Sequence, residues 1–278
     1  MNSNAVSAIA LAALTFGAGI VNATPEEDRQ AFVKFFQQRF PDVALDDYSN
    51  GVYAIDEELR KEWDMIEEFP PYELALARGE ELFNTPFANA KTYADCFPNG
   101  GIGIRQNYPY FDTETGQVKT LELAINECRE ANGEKPFKYK KGDIAAVSAY
   151  MAYSSRGKRF NIEIPDDPRA RAAYEKGKQF YYSKRGQLNF ACSNCHLDAA
   201  GMMVRAERLS PALGQPTNFP VYRSKWGEMG TLHRRFAGCN EQVRAKAFPG
   251  QSEEYRDLEY FLTYMSNGLE VNGPGARR

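Results

Sequence analysis

The feature that most constrains this 278-residue chain is the pentapeptide Cys192-Ser193-Asn194-Cys195-His196. Two cysteines separated by two residues and followed directly by a histidine form the pattern that attaches a c-type haem. On a helical turn this spacing lets the two thiols bond to the vinyl groups of the haem, and the histidine reaches the iron. The motif therefore predicts one covalently bound haem c, with His196 as an axial ligand of the iron.

Closely spaced cysteines also occur in two other kinds of site. A redox-active dithiol of the thioredoxin type would require a β-strand before the motif, and the pattern of this chain is helical. A zinc site would require two further ligands, which only Cys239 and His233 could supply, because the chain has only two histidines. Haem attachment is the preferred interpretation.

The first residues favour export from the cytoplasm. Residues 5–21 are largely apolar and uncharged, and the small residues Val21 and Ala23 suit signal peptidase, which predicts a signal peptide over residues 1–23. A membrane anchor is the alternative, but the stretch is shorter than the ~20 residues that span a bilayer. We therefore expect a protein of the bacterial periplasm, an oxidising compartment, without membrane insertion. The net charge of −3 gives no indication of nucleic acid binding.

The periodicity of the remaining chain predicts a mainly α fold. Apolar residues recur at helical spacing over residues 26–39, 57–68, 169–182 and 252–266, and prolines interrupt the pattern between them. No convincing series of alternating strands is present. Short helices joined by long loops are typical of a chain wrapped around a large apolar cofactor.

The chain also contains a diverged internal repeat. Residues 76–83 resemble residues 174–181, and in each copy a helix leads into a loop that reaches a cysteine. Further along, the surroundings of Cys128 in the first copy resemble those of Cys239 in the second. Each copy closes with a helix that carries a Tyr-Met pair; these pairs are Tyr150-Met151 and Tyr264-Met265.

The repeat predicts two cytochrome c-like domains, residues 24–162 and residues 163–278, joined near two prolines around residues 161–168. The first domain has lost its haem motif. Cys96 has no partner cysteine three residues before it, and Phe97 stands where the histidine would be.

Several residues could occupy the second axial position of the iron. Met202 and Met203 lie too close to His196 in the sequence to reach around a haem. Met229 and His233 are feasible by their distance along the chain. Other candidates are Met265, for which a role in the apolar core is the simpler interpretation, and Cys239.

Cys239 is the preferred candidate because of the number of cysteines. Cys192 and Cys195 are consumed by haem, and Cys96 and Cys128 can pair with each other, because they lie in the same domain of an exported protein. Cys239 is then left over, and an unpaired thiol in a secreted protein requires an explanation.

Basic residues surround Cys239 in the sequence and favour a thiolate over an inert buried thiol. Positive neighbours lower the pKa of a thiol and attract anionic substrates. A solvated basic face beside a buried cysteine is the alternative. These basic residues are Arg223, Lys225, His233, Arg234, Arg235, Arg244 and Lys246.

The haem motif, together with Arg235-Phe236-Ala237-Gly238-Cys239-Asn240 and Val243-Arg244, resembles the SoxA family over essentially the whole mature chain. SoxA proteins are c-type cytochrome subunits of the L-cysteine S-thiosulfotransferase of sulfur-oxidising bacteria. The resemblance implies an enzyme subunit that oxidatively conjugates thiosulfate to a carrier-protein cysteine, giving an S-thiosulfonate, with electrons passed to the c-type haem. It also implies that Cys239 is an axial iron ligand found as a persulfide, and that Arg235 binds the substrate.

Because the first domain lacks the attachment motif, the chain resembles the single-haem branch of this family. That branch implies a Cys96–Cys128 disulfide in the emptied site. The family also implies a SoxX-type monohaem cytochrome as partner in a heterodimer and a SoxYZ-type sulfur carrier. Two other functions remain open: a periplasmic electron-transfer cytochrome c without sulfur-transfer activity, with Met229 or His233 as sixth ligand, and a subunit that only scaffolds a catalytic partner.

Overall fold

The computed structural model describes residues 23–277, so the predicted signal peptide, residues 1–23, lies outside the described residues except for Ala23. The fold is mainly helical, as the sequence predicts. No helix within the described residues combines the length and the apolar character needed to cross a bilayer. The α-helices are α1 (Pro25–Arg39), α2 (Glu57–Glu68), α3 (Glu73–Asn84), α4 (Leu121–Ala131), α5 (Asp143–Tyr153), α6 (Pro168–Tyr182), α7 (Leu232–Gln242) and α8 (Glu253–Met265).

Short antiparallel hairpins connect these helices. Each strand has only two or three residues, which is too short for an alternating pattern to be visible in the sequence. Three hairpins form from β1 and β2, β3 and β4, and β5 and β6, and β7 joins β5 in parallel. The strands are β1 (Tyr110–Asp112), β2 (Gln117–Lys119), β3 (Met203–Val204), β4 (Glu207–Arg208), β5 (Val221–Arg223), β6 (Glu228–Gly230) and β7 (Gly275–Arg277).

The helices begin where the sequence supplies capping side chains. Thr24 and Glu27 form a capping box at the start of α1, with Pro25 in the first turn. The Asp167 side chain accepts a hydrogen bond from the backbone of Arg169 at the start of α6. These signals explain why the predicted helix limits agree closely with the observed ones.

A close helix crossing is repeated in the two halves of the chain. In the first half α3 crosses α5, and a Cβ atom on Gly79 would lie 2.0 Å from the carbonyl oxygen of Ala146. In the second half α6 crosses α8, and a Cβ atom on Gly177 would lie 2.0 Å from the carbonyl oxygen of Asp257. Only glycine permits such an approach of backbone to backbone. The resemblance of residues 76–83 to residues 174–181 thus reflects a shared contact.

The crossing also fixes how the closing helices of the two copies align. Tyr150 packs one turn beyond Ala146, beside Gly79, and Phe261 packs one turn beyond Asp257, beside Gly177. Tyr150 therefore corresponds to Phe261. Both closing helices carry a Tyr-Met pair, as the sequence shows, and the two pairs are offset from each other by three residues.

Between the crossing helices, both halves contain a hairpin followed by a helix that carries a cysteine. A threonine precedes each of these helices, Thr120 before α4 and Thr231 before α7. Cys128 and Cys239 then occupy the same position, seven residues after the first residue of each helix.

The two halves are interlocked through their hairpins. The β1–β2 hairpin of the first half packs on α6 and α8, whereas the β5–β6 hairpin of the second half packs on α5. Helix α1 also packs on α8, with Phe32 and Phe36 in one buried cluster with Tyr181 and Phe261. Residues 25–39, which the sequence assigns to the first domain, therefore lie against the second half.

The interior of the first half is filled by aromatic side chains. Phe83 stacks on Tyr93 with ring centroids 5.7 Å apart, and Phe97 is buried in the same cluster. The predicted disulfide between Cys96 and Cys128 is confirmed, with Cα atoms 5.8 Å apart. This half thus contains a packed core and a covalent crosslink at the cysteines of the repeat.

Candidate functional site

The pentapeptide of the haem motif lies on a short helical turn. A π-helical segment spans Asn194–Asp198 and directly follows the helical residues Cys192 and Ser193. The Asn194 side chain accepts a hydrogen bond from the backbone nitrogen of Ala191 at 2.9 Å and donates one to Asp198 at 2.9 Å. Asn194 therefore fixes the turn from both ends and brings Cys192 and Cys195 to the same cavity.

His196 is oriented by the loop that follows the motif. Its Nδ1 lies 2.9 Å from the carbonyl oxygen of Ser210, which can only accept, so Nδ1 carries the proton. The carbonyl oxygen of His196 accepts a hydrogen bond from the backbone nitrogen of Ala212. Nε2 is left with its lone pair, the form in which a histidine binds iron.

The motif opens into a large cavity that encloses about 1680 Å³, including the open space at its mouth. Its walls are mainly apolar, as expected of a site for a macrocycle. The far wall comes from α2 and the turn before it, with Tyr53 and Trp63 stacked at a centroid distance of 5.4 Å. Other apolar side chains that line the cavity are Val52, Leu59, Ile66, Phe180, Tyr181, Phe190, Phe219, Val221, Leu232, Phe236, Leu258 and Leu262.

Cys239 lies on α7 and lines the same cavity, in contact with the imidazole of His196. Burial alone would raise the pKa of this thiol. The positive charges of Arg235 and Arg223, together with the neighbouring His196, outweigh burial and lower the pKa to about 7. The basic residues near Cys239 in the sequence thus include two, Arg235 and Arg223, whose charges lower the pKa of this thiol in the fold.

The two cysteines of the motif have pKa shifts in the opposite direction to that of Cys239. Burial raises the pKa of Cys192 to about 12 and also raises the pKa of Cys195. Of the three cysteines without a disulfide partner in the described residues, Cys239 is therefore the one whose pKa is lowered.

The structure places His233 outside the cavity. Its side chain is 1% exposed, Nδ1 accepts a hydrogen bond from the backbone nitrogen of Gln251 at 3.0 Å, and Nε2 lies 3.1 Å from Glu259. Glu259 in turn lies 3.6 Å from Arg105 of the first half. Both ring nitrogens of His233 thus belong to a buried charged cluster between the halves, and neither faces the haem motif.

The methionines considered as sixth ligands also lie elsewhere. Met229 packs in a cluster with Tyr72 and the β7 residue Ala276, and Met265 is buried in the main core. Met202 and Met203 are exposed around the β3–β4 hairpin. Of the side chains that the sequence analysis considered for the sixth position, Cys239 is the one that lines the cavity.

The zinc alternative receives no support. Within residues 23–277, no group of three or more His, Cys, Asp or Glu side chains is placed to hold a metal ion by itself. Two cysteines and a histidine at the wall of an apolar cavity fit a haem, which brings its own four nitrogen ligands.

Arginines from three separate elements line the cavity together with Cys239. Arg235 lies one helical turn before Cys239 on the same face of α7. Arg223 and Arg277 come from the paired strands β5 and β7. The sequence analysis identified Arg235 as a site residue and Arg223 as a basic neighbour. Arg277 could not be found from the sequence, because β7 is too short to show the alternating pattern that would have predicted its pairing with β5.

Comparison with known proteins identifies relatives of the whole chain. Residues 78–160 match the family described as SoxA/TsdA, cytochrome c domain. The chain is 62% identical over 275 residues to the L-cysteine S-thiosulfotransferase subunit SoxA of Allochromatium vinosum, and the match covers 98% of each chain. It is 59% identical over 256 residues to the subunit of the same name from Chlorobaculum tepidum, covering 92% of this chain and 89% of that one.

A solved structure shows the same fold. The crystal structure of SoxXA from P. pantotrophus matches with a TM-score of 0.68 at 33% sequence identity, covering 75% of this chain and 79% of that chain.

Proposed function

The chain belongs to the SoxA family of L-cysteine S-thiosulfotransferase subunits, and on that premise we propose that Cys239 is its sulfur-handling residue. The observation that carries the proposal is the position of Cys239, which faces His196 in the cavity and has its pKa lowered by Arg235 and Arg223. A thiolate held among arginines is suited to react with the sulfur of a small dianion such as thiosulfate.

The residues of the cavity fit a covalently bound haem c, and we propose that one is bound. Cys192 and Cys195 would hold it through thioether bonds, and His196 and Cys239 would bind the iron. The lone pair on Nε2 of His196 and the apolar walls support this assignment. When bound, the haem supplies one-electron redox chemistry, and thiolate ligation sets a low reduction potential.

The proposed reaction balances as follows. The thiolate of Cys239 forms a bond to the outer (sulfane) sulfur of thiosulfate, and two electrons are removed by c-type cytochrome acceptors. A thiolate of the carrier protein then attacks the same sulfur. The bond to Cys239 breaks, its thiolate is regenerated, and the carrier cysteine leaves as an S-thiosulfonate. Overall, one carrier thiol and one thiosulfate give one S-thiosulfonate, one proton and two electrons.

Arg235 is proposed as a substrate-binding residue. It lies one turn from Cys239, and, within residues 23–277, no carboxylate lies within ion-pair distance of its guanidinium. A guanidinium without an internal counter-ion is suited to bind an anionic substrate.

We propose that the first domain, residues 24–162, is a cytochrome c-like domain that has lost its haem. The family match over residues 78–160 falls on this half, which contains no Cys-x-x-Cys-His motif. The glycine-mediated helix crossing shared with the second half supports the same origin. The aromatic cluster around Phe83 and the Cys96–Cys128 disulfide occupy the interior instead.

A SoxX-type monohaem cytochrome is the proposed partner in a heterodimer, because the matching solved structure is that of SoxXA. The proposed reaction also requires a carrier with a free cysteine, for which the family implies a SoxYZ-type protein. The predicted signal peptide over residues 1–23 supports a periplasmic location.

Substitution of Cys239 tests this function. Cys239→Ala and Cys239→Ser should lower thiosulfate conjugation by roughly 10³-fold or more, because loss of a nucleophile removes the covalent step. Conjugation is measured with the partner cytochrome and carrier present, and the intact mass of each variant should show one haem. Met229→Leu is the matched control, since it removes the rival sixth ligand and should leave the rate and haem spectrum unchanged. A comparable rate in both Cys239 variants would contradict the proposal and favour an electron carrier.

A further inference from the structure

We propose that Arg277, together with Arg223 and Arg235, forms a binding site for the sulfonate (–SO₃⁻) end of thiosulfate, and that Tyr53 and Gly51 hold Arg277 in place for this purpose. This inference rests on the proposed function and deepens it, because it assigns the substrate anion to a set of residues drawn from three elements.

The pairing of β5 with β7 places two arginines side by side. Arg223 is the direct partner of Arg277 in the parallel register, and the backbone nitrogen of Ser224 donates a hydrogen bond to the carbonyl oxygen of Arg277 at 2.9 Å. Paired residues extend their side chains to the same face of a sheet, and here both side chains line the cavity. Like charges directly opposite each other destabilise a sheet. An anion bound between the two arginines would therefore stabilise their pairing.

The guanidinium of Arg277 is held by the turn that precedes α2. It lies over the ring of Tyr53, 4.6 Å from the centroid, and the Tyr53 hydroxyl donates a hydrogen bond to the carbonyl oxygen of Ala276 at 3.1 Å. Gly51 has a φ angle of +62°, and a Cβ atom there would lie 2.3 Å from Nη2 of Arg277. The absence of a side chain at Gly51 therefore makes the space that the guanidinium occupies.

The arginines of this site outnumber the nearby carboxylates. Glu207 lies 3.3 Å from Arg223, and Glu62 also lines the cavity. Among the residues that the structure describes, no carboxylate lies within ion-pair distance of Arg277. Burial lowers the pKa of Arg277, Tyr53 opposes this shift, and the charges of Arg223 and Arg235 add to it. With no carboxylate beside it, the positive charge of Arg277 lacks a compensating negative charge. A bound anion would supply the compensation.

The position of the site relative to Cys239 favours thiosulfate. Arg235 lies one turn before Cys239, so an anion held between Arg235 and the β5–β7 pair lies beside the thiolate. Thiosulfate carries three sulfonate oxygens, which suit several guanidinium groups, and its fourth substituent is the sulfur that must react. Guanidinium groups here would bind the oxygens and leave that sulfur free to meet Cys239.

The experiment compares thiosulfate binding in four forms of the haem-loaded protein in complex with its partner. These are the wild type, Arg277→Gln, Gly51→Ala and Arg78→Gln. Arg78 lies on the exposed face of α3, outside the cavity, so Arg78→Gln is a control for the loss of one positive charge. Thiosulfate affinity is measured calorimetrically without carrier and with the haems of the complex already reduced, so that no electron acceptor is available and no turnover occurs. The haem absorption spectrum and reduction potential are recorded for each form.

Arg277→Gln should weaken thiosulfate binding by about tenfold or more, as expected for the loss of a charge-assisted hydrogen bond. Gly51→Ala should weaken binding in the same direction, because its Cβ displaces the guanidinium while the charge remains. Arg78→Gln should bind as the wild type does, and the haem spectrum and potential should be unchanged in all forms.

Two results would overturn the inference. One is an affinity of Arg277→Gln within about twofold of the wild type. The other is a changed haem potential at unchanged thiosulfate affinity, which would assign Arg277 to the haem propionates. The outcome is independent of the test of Cys239, because binding is measured without turnover: Cys239→Ser could remain active while Arg277→Gln loses binding, and the reverse could also occur.

Discussion

The two halves of this molecule use the same backbone arrangement for different interiors. In the first half the space within the crossing helices is filled by the rings of Phe83, Tyr93 and Phe97. In the second half the corresponding interior opens into the cavity lined by the haem motif and Cys239. The difference shows that this helix arrangement is set by the glycine-mediated crossing and not by the contents of the interior.

The cysteines at the equivalent position of α4 and α7 show the same contrast. Cys128 is bonded to Cys96, so it has no acid–base or nucleophilic chemistry left. Cys239 has no disulfide partner, and the charge of Arg235 contributes to lowering its pKa to about 7. The same position thus carries a crosslinked cysteine in the first half and a free thiol in the second.

Removal of the disulfide should give the largest effect on stability. The bond closes a sequence separation of 32 residues, for which the chain-entropy relation gives about 3–4 kcal/mol. The double variant Cys96→Ser, Cys128→Ala should therefore lose about that much free energy of unfolding in urea, while haem content and conjugation rate at 25 °C stay near those of the wild type. A loss below about 1 kcal/mol would mean that the aromatic cluster alone sustains the first half.

Substitution of the two crossing glycines should give the next largest effect. Gly79→Ala and Gly177→Ala each place a Cβ atom 2.0 Å from a backbone oxygen, which forces the helices apart and should cost about 2–3 kcal/mol in both halves. Since α6 and α8 line the cavity, Gly177→Ala should also change the haem absorption spectrum. Gly79→Ala serves as its matched control and should leave the spectrum unaltered. Equal spectral changes would show that the crossing in the first half also shapes the cavity.

The helix crossings of the two halves should also differ in how the free energy of unfolding depends on pH. Asp257 stands where the first half has Ala146, it is 4% exposed, and burial, followed by the charge of Glu253, raises its pKa to about 7. The unfolded value is about 3.9, so the native state favours the protonated form, and stability falls as pH rises from about 4 to 7.

The Asp257→Asn variant has an uncharged side chain at every pH, so its stability should not fall as the pH rises from about 4 to 7. We expect a gain in the free energy of unfolding at pH 8, with an upper limit of about 4 kcal/mol for a pKa raised from about 3.9 to about 7, and no difference from the wild type at pH 4, measured in urea. A gain of equal size at both pH values would exclude ionisation of Asp257 as its cause.

Much of the site could be predicted because it is formed by residues that lie close together in the sequence. The haem motif needs one helical turn, and the number of cysteines singles out Cys239 as the unpaired thiol. Helix limits also followed from the sequence, since residues such as Thr24 and Asp167 cap the helices directly. Arg235 lies on the same helix as Cys239, so its proximity follows from helical spacing alone.

The features that could not be predicted depend on contacts between distant segments. Arg277 reaches the cavity only because β7 pairs with β5, and a three-residue strand carries no periodic signal. The wall formed by Tyr53 and Trp63 comes from a part of the chain more than a hundred residues from the motif. His233 was a plausible ligand by its distance along the chain, but its buried partner Glu259 could not be seen there.

The interlocked hairpins have a consequence for how the chain unfolds. The β1–β2 and β5–β6 hairpins each lie on helices of the other half, so neither half can open without exposing apolar surface of both. The two halves should then unfold in one cooperative transition, in which binding energy gained in the second half also protects the first. With one haem bound in the second half, as proposed, the first half would share the stability that this haem confers.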